Sequence, residues 1–138
     1  MKLFLVVFFI FLSATAASAD SGTFTLSLKI RTFQDAPIYV AIFKSESSFL
    51  EEDEAVVKRI FQKNDNDMYV VAPLQEGKYA LSVFQDINMN GELDTSFLGA
   101  PKEPYGFSNN AEAMFGPPSY DECVFSISND MIMEVVLE

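Results

Sequence analysis

The chain lacks histidine and tryptophan and has one cysteine, Cys123, among its 138 residues. Without histidine, a serine or cysteine nucleophile has no imidazole base to activate it, which disfavours the common forms of acyl-transfer catalysis. A single cysteine cannot form an intramolecular disulfide, even in an oxidising compartment. Because Val124 and Phe125 follow Cys123, we expect this side chain to be a small buried hydrophobe in a strand-like segment.

The amino terminus has the pattern of a secretory signal peptide. Lys2 gives a positive start, residues 3–12 are uniformly apolar, and residues 17–19 (ASA) fit a cleavage site of small residues. The ten apolar residues would reach only about 15 Å as a helix, half the thickness of a bilayer core, so a retained anchor is the weaker alternative. We expect residues 1–19 to be cleaved and residues 20–138 to form one domain, periplasmic or secreted, with no membrane span after processing.

Basic residues are scarce. Without Lys2, 8 Lys and Arg face 20 Asp and Glu, a net charge of −12. This charge repels nucleic acid and anionic membrane surfaces and attracts cations, so the expected partner is a protein or another ligand of the cell envelope. Solubility alone also explains many acids, and only residues 86–94 show acids in an ordered arrangement.

Hydrophobic periodicity predicts strands along most of the chain. Residues 23–32 alternate strictly between apolar and polar, and residues 38–43 are almost continuously apolar, which predicts a central strand. Further strands are expected at residues 56–61, 68–72 and 78–84, and residues 123–128 and 131–137 are expected to form a closing hairpin. About seven strands with little helix predict an all-β fold, a single antiparallel β-sandwich with one long ordered loop.

The connections between these strands are polar or rich in turn-forming residues. Residues 64–67 (NDND) predict a turn rather than an ion site, and residues 73–77 predict a second turn. Tyr79 follows that second turn, so we expect its hydroxyl to hydrogen-bond back to it, as corner tyrosines do in sandwich folds. Residues 45–55 are compatible with a short helix or with an irregular crossover.

Residues 95–120 contain four prolines and three glycines and show no periodicity. Their many apolar side chains predict an ordered loop docked on the sheet, with Phe97, Phe107 and Phe115 buried. Docking would also bring Lys102 or Glu103 close to residues 86–94. Such a loop is compatible with a recognition surface.

A structural role is the alternative for the same loop. In that interpretation Tyr105 and Phe107 plug one end of the sandwich. Asn109 and Asn110 then satisfy carbonyl groups of the loop.

The segment most typical of a ligand site is DINMNGELD, residues 86–94. Alternate oxygen-bearing side chains followed by a glycine have the spacing of a calcium loop. The candidate metal ligands are Asp86, Asn88, Asn90, Asp94 and, through its backbone carbonyl, Glu92. Phe97 occupies the position of the bidentate glutamate of an EF-hand, and a strand precedes the loop, so an EF-hand is excluded.

Calcium binding at this loop has a simpler alternative, an Asx-rich turn whose side chains cap backbone N–H groups without any ion. With two carboxylates, a calcium site would be of the weak extracellular class, with a Kd on the order of 10⁻⁴–10⁻³ M. These residues predict a non-enzymatic binding or structural module with a Ca²⁺-binding loop at residues 86–94. The alternative is a hydrolase that uses an acidic cluster of Asp86, Asp94 and Glu103, although the chain has no tryptophan platform for a sugar.

Five blocks of the chain together resemble a known family. They are residues 77–80 (GKYA), 83–86 (VFQD), 88–94 (NMNGELD), 97–111 (FLGAPKEPYGFSNNA) and 115–120 (FGPPSY). Their order is similar to that of domain-of-unknown-function family 2141, uncharacterised secreted bacterial proteins, and the similarity covers essentially all of residues 20–138. Gln85 is a departure, since histidine is expected at that position. The resemblance implies an exported sandwich of the transthyretin or immunoglobulin-like kind and brings no known activity.

Overall fold

The computed structural model describes residues 22–32 and 34–138, so the predicted signal peptide at residues 1–19 lies outside the described residues. Eight strands and one short α-helix make up most of the regular structure of these residues. They are β1 (Thr23–Ile30), β2 (Ile38–Phe43), β3 (Val57–Phe61), β4 (Met68–Gln75), β5 (Gly77–Gln85), β6 (Tyr105–Phe107), α1 (Tyr120–Cys123), β7 (Phe125–Ile127) and β8 (Met131–Val135). No helix among the described residues is long and apolar enough to cross a membrane.

The strands form two sheets with the apolar core between them, which confirms the predicted all-β sandwich. One sheet has three strands in the order β4-β1-β8, and the other has five, in the order β3-β2-β5-β6 with β7 also paired to β5. The predicted central position of β2 is confirmed, since it lies between β3 and β5. One pairing departs from the antiparallel prediction: β1 and β8 run parallel, from Leu26 opposite Met131 to Ile30 opposite Val135.

Alternation along β1 decides which side chains enter the core. Leu26, Leu28 and Ile30 are fully buried, and the intervening polar residues face outward. Ile38 and Ile42 of β2 are equally buried, and they belong to the same apolar cluster. Removing a side chain of this size from water is worth about 1.5–3 kcal/mol, so each of these buried residues contributes to the driving force for folding.

The predicted closing hairpin is wrong. β7 pairs with β5 in one sheet, whereas β8 pairs with β1 in the other, so the chain crosses between the sheets at Asn129 and Asp130. The Asp130 side chain fixes the crossing by accepting a hydrogen bond of 2.7 Å from the backbone N–H of Thr25. Alternating apolar residues show that each segment is a strand, but they do not show which sheet it joins.

The strand predicted at residues 123–128 is confirmed as β7, but its predicted start is wrong, because residues 120–123 form the one-turn helix α1. Ser119 and Glu122 make a reciprocal capping box at its start, which satisfies N–H groups that the short helix leaves unpaired. The expected burial of Cys123 is confirmed, with no exposed surface. Burial, followed by the nearby charge of Glu122, raises the pKa of the Cys123 thiol to about 11, so the thiol is unreactive at neutral pH.

The turns mostly follow the sequence predictions. The Tyr79 hydroxyl donates a hydrogen bond of 3.0 Å to the carbonyl of Gln75, which confirms the corner tyrosine. The turn before it is shorter than predicted, because β4 continues through Pro73 to Gln75. Proline is tolerated there since β4 is an edge strand. The open alternatives for residues 45–55 resolve into a crossover with two 3₁₀ turns, Glu46–Ser48 and Glu52–Glu54.

Candidate functional site

The candidate site lies in the loop that leaves the carboxyl end of β5. Asp86, its first residue, is 1% exposed, and both carboxylate oxygens accept hydrogen bonds from the backbone. Oδ1 accepts from the N–H of Asn90 at 3.2 Å, and Oδ2 accepts from the N–H of Gly91 at 2.8 Å. Gly91 has φ of 82°, the left-handed conformation that the predicted bend requires. Asp86 therefore closes the loop from within.

Asp94 and the two asparagines converge on the outer side of the loop. The Asn90 Nδ2 group donates to Asp94 Oδ2 at 3.0 Å, and the Asn88 Nδ2 group donates to the same oxygen. The asparagine oxygens point back to the chain: Asn88 Oδ1 accepts from the N–H of Asn90 at 3.3 Å, and Asn90 Oδ1 accepts from the N–H of Glu92 at 3.0 Å. Glu92, whose side chain is exposed, takes part in the loop through its backbone N–H group. All five candidate ligands thus belong to one connected turn.

Glu103 holds this loop to the next part of the chain. It is only 7% exposed, and its Oε1 atom accepts hydrogen bonds from the backbone N–H groups of Ile87 at 2.8 Å and Asn88 at 3.4 Å. Its Oε2 atom accepts from the N–H of Asp94 at 3.0 Å. The expected proximity of Lys102 or Glu103 to residues 86–94 is confirmed. No pattern in the sequence indicated that this glutamate would cap three N–H groups.

These residues surround an open groove of about 360 Å³, called here the loop groove. Its lining residues are Ile87, Asn88, Asp94, Lys102 and Glu103. Among residues 22–32 and 34–138, no group of three or more His, Cys, Asp or Glu side chains could hold a metal ion. A cation here would therefore depend on amide oxygens, which requires Asn88 and Asn90 to turn their oxygens toward Asp94. A ligand set made only of carboxylate and amide oxygens suits calcium better than zinc or copper, which prefer His or Cys.

Gln85 anchors the start of the candidate loop, although histidine is expected at this position. The side chain is 2% exposed, and its Nε2 group donates to the backbone carbonyls of Gln34 at 2.8 Å and Ala36 at 3.1 Å. The N–H of Asp86 donates to the carbonyl of Pro37 at 2.9 Å. Gln85 therefore joins the connection between β1 and β2 to the base of the candidate loop.

The long segment from Thr95 to Tyr120 is ordered but only partly docked. Phe107, in β6, is 7% exposed as predicted. The predicted burial of Phe97 and Phe115 is wrong, because both side chains are fully exposed, at 102% and 103%. Hydrophobicity identifies side chains that gain from burial, but it does not show whether the backbone can bring them to the core.

Three consecutive polar residues after β6 join its sheet to α1 and β8. Ser108 is fully buried, and its hydroxyl accepts a hydrogen bond of 3.0 Å from the N–H of Leu81 and donates to the carbonyl of Cys123. Asn109 Nδ2 donates to the carbonyl of Val124 at 2.8 Å. These contacts agree with the structural alternative that we gave for Asn109 and Asn110. The carbonyl groups that they satisfy belong to the segment around α1 and to β8, not to the loop itself.

Asn110 reaches the other sheet. Its Oδ1 atom accepts from the N–H of Val136 at 2.9 Å, and its Nδ2 group donates to the carbonyl of Glu134 at 3.4 Å. Gly106 lets the segments approach closely, since a Cβ atom there would lie 2.7 Å from the carbonyl oxygen of Val136. The YGFSNN segment, residues 105–110, therefore stabilises the junction of the two sheets.

Comparison with known proteins places these features in a family. No curated protein and no solved structure was found to match the chain. The family described as "Uncharacterized protein conserved in bacteria (DUF2141)" matches residues 30–134. This range contains both the candidate loop and the YGFSNN junction. Since the match covers most of the chain, the protein belongs to the DUF2141 family of uncharacterised bacterial proteins.

Proposed function

We propose that this protein is an exported, non-enzymatic binding or structural module whose loop at residues 86–94 takes up calcium with low affinity. The observation that supports this most directly is the convergence of Asp94, Asn88 and Asn90 beside the open loop groove. A divalent cation would replace the amide protons that now face the Asp94 carboxylate. A bound cation would also reduce the repulsion among the carboxylates of this acidic protein, which favours its uptake.

The ligand set fits a hard cation of modest affinity. Asp94 would provide a carboxylate, Asn88 and Asn90 would provide amide oxygens, and Glu92 would provide its backbone carbonyl. Asp86 retains further lone pairs on oxygens that already accept backbone N–H groups. Because two carboxylates are few for calcium, we expect a Kd on the order of 10⁻⁴–10⁻³ M, appropriate to calcium levels outside cells.

The positions of the three acids also support a non-enzymatic role over the alternative of a hydrolase. Asp86 and Glu103 are 1% and 7% exposed, and both carboxylates are hydrogen-bonded to backbone N–H groups. A carboxyl pair for glycoside hydrolysis must flank a substrate, with one member able to donate a proton. Of the three, only Asp94 faces the loop groove while remaining partly exposed.

The amino-terminal pattern supports export, and the net charge indicates which kind of ligand to expect. Net charge of −12 after removal of Lys2 favours a cationic or cation-bridged ligand and disfavours nucleic acid. We expect a protein or another envelope ligand, met in the periplasm or outside the cell. An amino-terminal sequence of the protein isolated from its host should begin at Asp20. Retention of residues 1–19 would contradict export by a cleaved signal peptide.

Thermal unfolding with and without calcium tests the calcium proposal. A ligand that binds only the native state at tenfold its Kd stabilises the protein by about 1.4 kcal/mol, so calcium in the millimolar range should raise the Tm by several degrees. Asp94→Asn should abolish this increase. Asp65→Asn removes the same charge in the turn at residues 64–67 and should leave it unchanged. An equal response of both variants, or no response of the unmodified protein, would contradict calcium binding at this loop.

A further inference from the structure

Asn90 is a candidate for covalent modification within the loop, because it is the one asparagine of the chain that glycine follows. The backbone nitrogen of the next residue can attack the Cγ atom of an asparagine side chain, which forms a cyclic imide and releases ammonia. Since glycine has no Cβ atom, Gly91 leaves its nitrogen free to approach. Both residues are exposed, so the water that opens the imide has access to them.

The folded loop holds the two reacting groups together. The Oδ1 atom of Asn90 accepts a hydrogen bond of 3.0 Å from the N–H of Glu92, which closes an Asx turn. The nitrogen of Gly91 and the Cγ atom of Asn90 both belong to the ring that this hydrogen bond closes. The turn therefore confines the nucleophile and its target to one small ring, which lowers the entropy cost of bringing them together.

The atoms whose charge changes during this attack already have suitable partners. The N–H of Gly91 donates to Asp86 Oδ2 at 2.8 Å, which is within the reach required of a general base. The N–H of Glu92 faces the Asn90 Oδ1 atom, on which negative charge develops, at the distance of an oxyanion-hole donor. Asp94 accepts a hydrogen bond of 3.0 Å from the Asn90 Nδ2 group and so fixes the orientation of the side chain.

We propose that Asn90 deamidates spontaneously in the folded protein, with the loop itself promoting the reaction. The Gly91 nitrogen bonds to Asn90 Cγ while its proton passes to the Asp86 carboxylate. The Cγ–Nδ2 bond then breaks, and the amine leaves as ammonia with the proton that Asp86 returns through water. A water molecule next opens the imide. Opening of the Cγ–N bond gives aspartate, and opening of the backbone C–N bond gives isoaspartate.

The aspartate product changes the charge of the loop. It places a carboxylate where the Asn90 Nδ2 group now donates to Asp94, so an attractive contact becomes a repulsion between two carboxylates. Together with Asp86, the loop would then contain a third carboxylate among its candidate calcium ligands. Ligand charge is one of the factors that set calcium affinity, so the modified loop should bind calcium more tightly. This consequence rests on the proposed function, whereas the deamidation itself does not.

Peptide mapping by mass spectrometry tests the proposal on the purified protein, incubated at neutral pH without calcium. Trypsin releases residues 79–102, which contain both Asn88 and Asn90, so fragmentation assigns the exchange of NH₂ for OH to one of them. Asn90 should convert with time to aspartate and isoaspartate, while Asn88 stays unchanged. Asn66 is the matched control. Its Oδ1 atom also closes an Asx turn, at 3.0 Å, but Asp67 follows it in place of glycine, so it should stay unchanged as well.

A synthetic peptide of residues 79–102 separates the contribution of the fold from that of the sequence. Asn90 should convert about tenfold faster in the protein than in the peptide, less than a well-matched base contributes, because a carboxylate is a weak base for an amide proton.

Asp86→Asn removes the base, so the rate in this variant should not exceed that of the peptide, whether or not the loop keeps its shape. Glu112→Gln removes the same charge at an exposed position outside the loop and should convert as fast as the unmodified protein. An Asn90 that persists in the folded protein, conversion no faster than in the peptide, or an undiminished rate in Asp86→Asn would each overturn the proposal. Because calcium is absent from every arm, failure of the calcium proposal would not change these results.

Discussion

The Glu103 carboxylate accepts a hydrogen bond of 3.0 Å from the backbone N–H of Asp94. The other oxygen of the same carboxylate accepts from Ile87 and Asn88, so one side chain caps both ends of the candidate loop. The loop is therefore ordered by a residue outside the pattern at residues 86–94. Both acids line the loop groove, but Glu103 is buried and caps backbone N–H groups, whereas Asp94 is the more exposed of the two carboxylates.

Replacement of Glu103 by glutamine should destabilise the protein whether or not calcium is present. The glutamine amide has one acceptor oxygen, so its NH₂ end would face a backbone N–H group that it cannot pair. A buried donor without a partner costs about 1–3 kcal/mol, which urea unfolding resolves. Glu92→Gln changes an exposed side chain in the same loop and should leave the free energy of unfolding within about 0.5 kcal/mol. Equal stability of both variants would show that the Glu103 cap contributes nothing.

Ser108→Ala should reveal the structural role of the polar residues after β6. The substitution leaves the buried carbonyl of Cys123 and the N–H of Leu81 without the hydroxyl that contacts them now. We expect a loss of about 1–3 kcal/mol in the free energy of unfolding. Ser126→Ala, on an exposed position of β7, is the matched control and should change it little. A Ser108 variant as stable as the control would mean that water replaces the hydroxyl.

Gly106→Ala should destabilise the protein at the junction of the two sheets. The added methyl group would lie 2.7 Å from the Val136 carbonyl oxygen and 2.9 Å from Val135 Cγ1, and backbone cannot move away cheaply. We expect a loss of about 1–3 kcal/mol, comparable with other overpacked sites. Gly99→Ala provides the comparison, because nothing lies within 4 Å of its Cβ position and only its φ of 83° resists the change. Greater destabilisation by Gly99→Ala would contradict the close approach at Gly106.

Acid should weaken the start of α1. Hydrogen bonds from the backbone and side chain of Ser119 lower the pKa of Glu122 below its ordinary value. A group whose pKa is lower in the folded state stabilises that state above its ordinary pKa, and the effect disappears as pH falls through the lowered value. Glu122→Gln keeps a capping oxygen without a titrating charge, so its Tm should fall less between pH 5 and about pH 3 than that of the unmodified protein. Identical acid profiles for the two proteins would contradict this role; Glu112→Gln is the control.

Periodicity predicted the strands because alternate burial leaves a direct mark on the sequence, as Leu26, Leu28 and Ile30 show. The same pattern could not predict that β8 joins β1 in parallel, since that choice depends on how the chain crosses at Asp130. It also misplaced Cys123, because a capping box begins a helical turn where apolar spacing indicates a strand.

The candidate site was predicted in part. Alternating Asp and Asn residues before Gly91 identified the turn, and their mutual hydrogen bonds follow from that spacing. The cap by Glu103 joins residues nine or more positions apart, which spacing alone does not reveal. Phe97 failed as a core prediction because a tight turn holds it away from the sheet.

The most direct measurement is a calcium titration followed by ¹H–¹⁵N NMR of the backbone amides. If the loop takes up calcium, the amides of Asn88, Asn90, Gly91 and Asp94 should shift together and saturate with a Kd on the order of 10⁻⁴–10⁻³ M. Magnesium should produce smaller shifts, because it demands a near-ideal octahedral site. Asp94→Asn should abolish the calcium response while the spectrum of the sheets stays unchanged. Loop amides that do not move at about ten times that calcium concentration would show that residues 86–94 are an Asx turn without an ion.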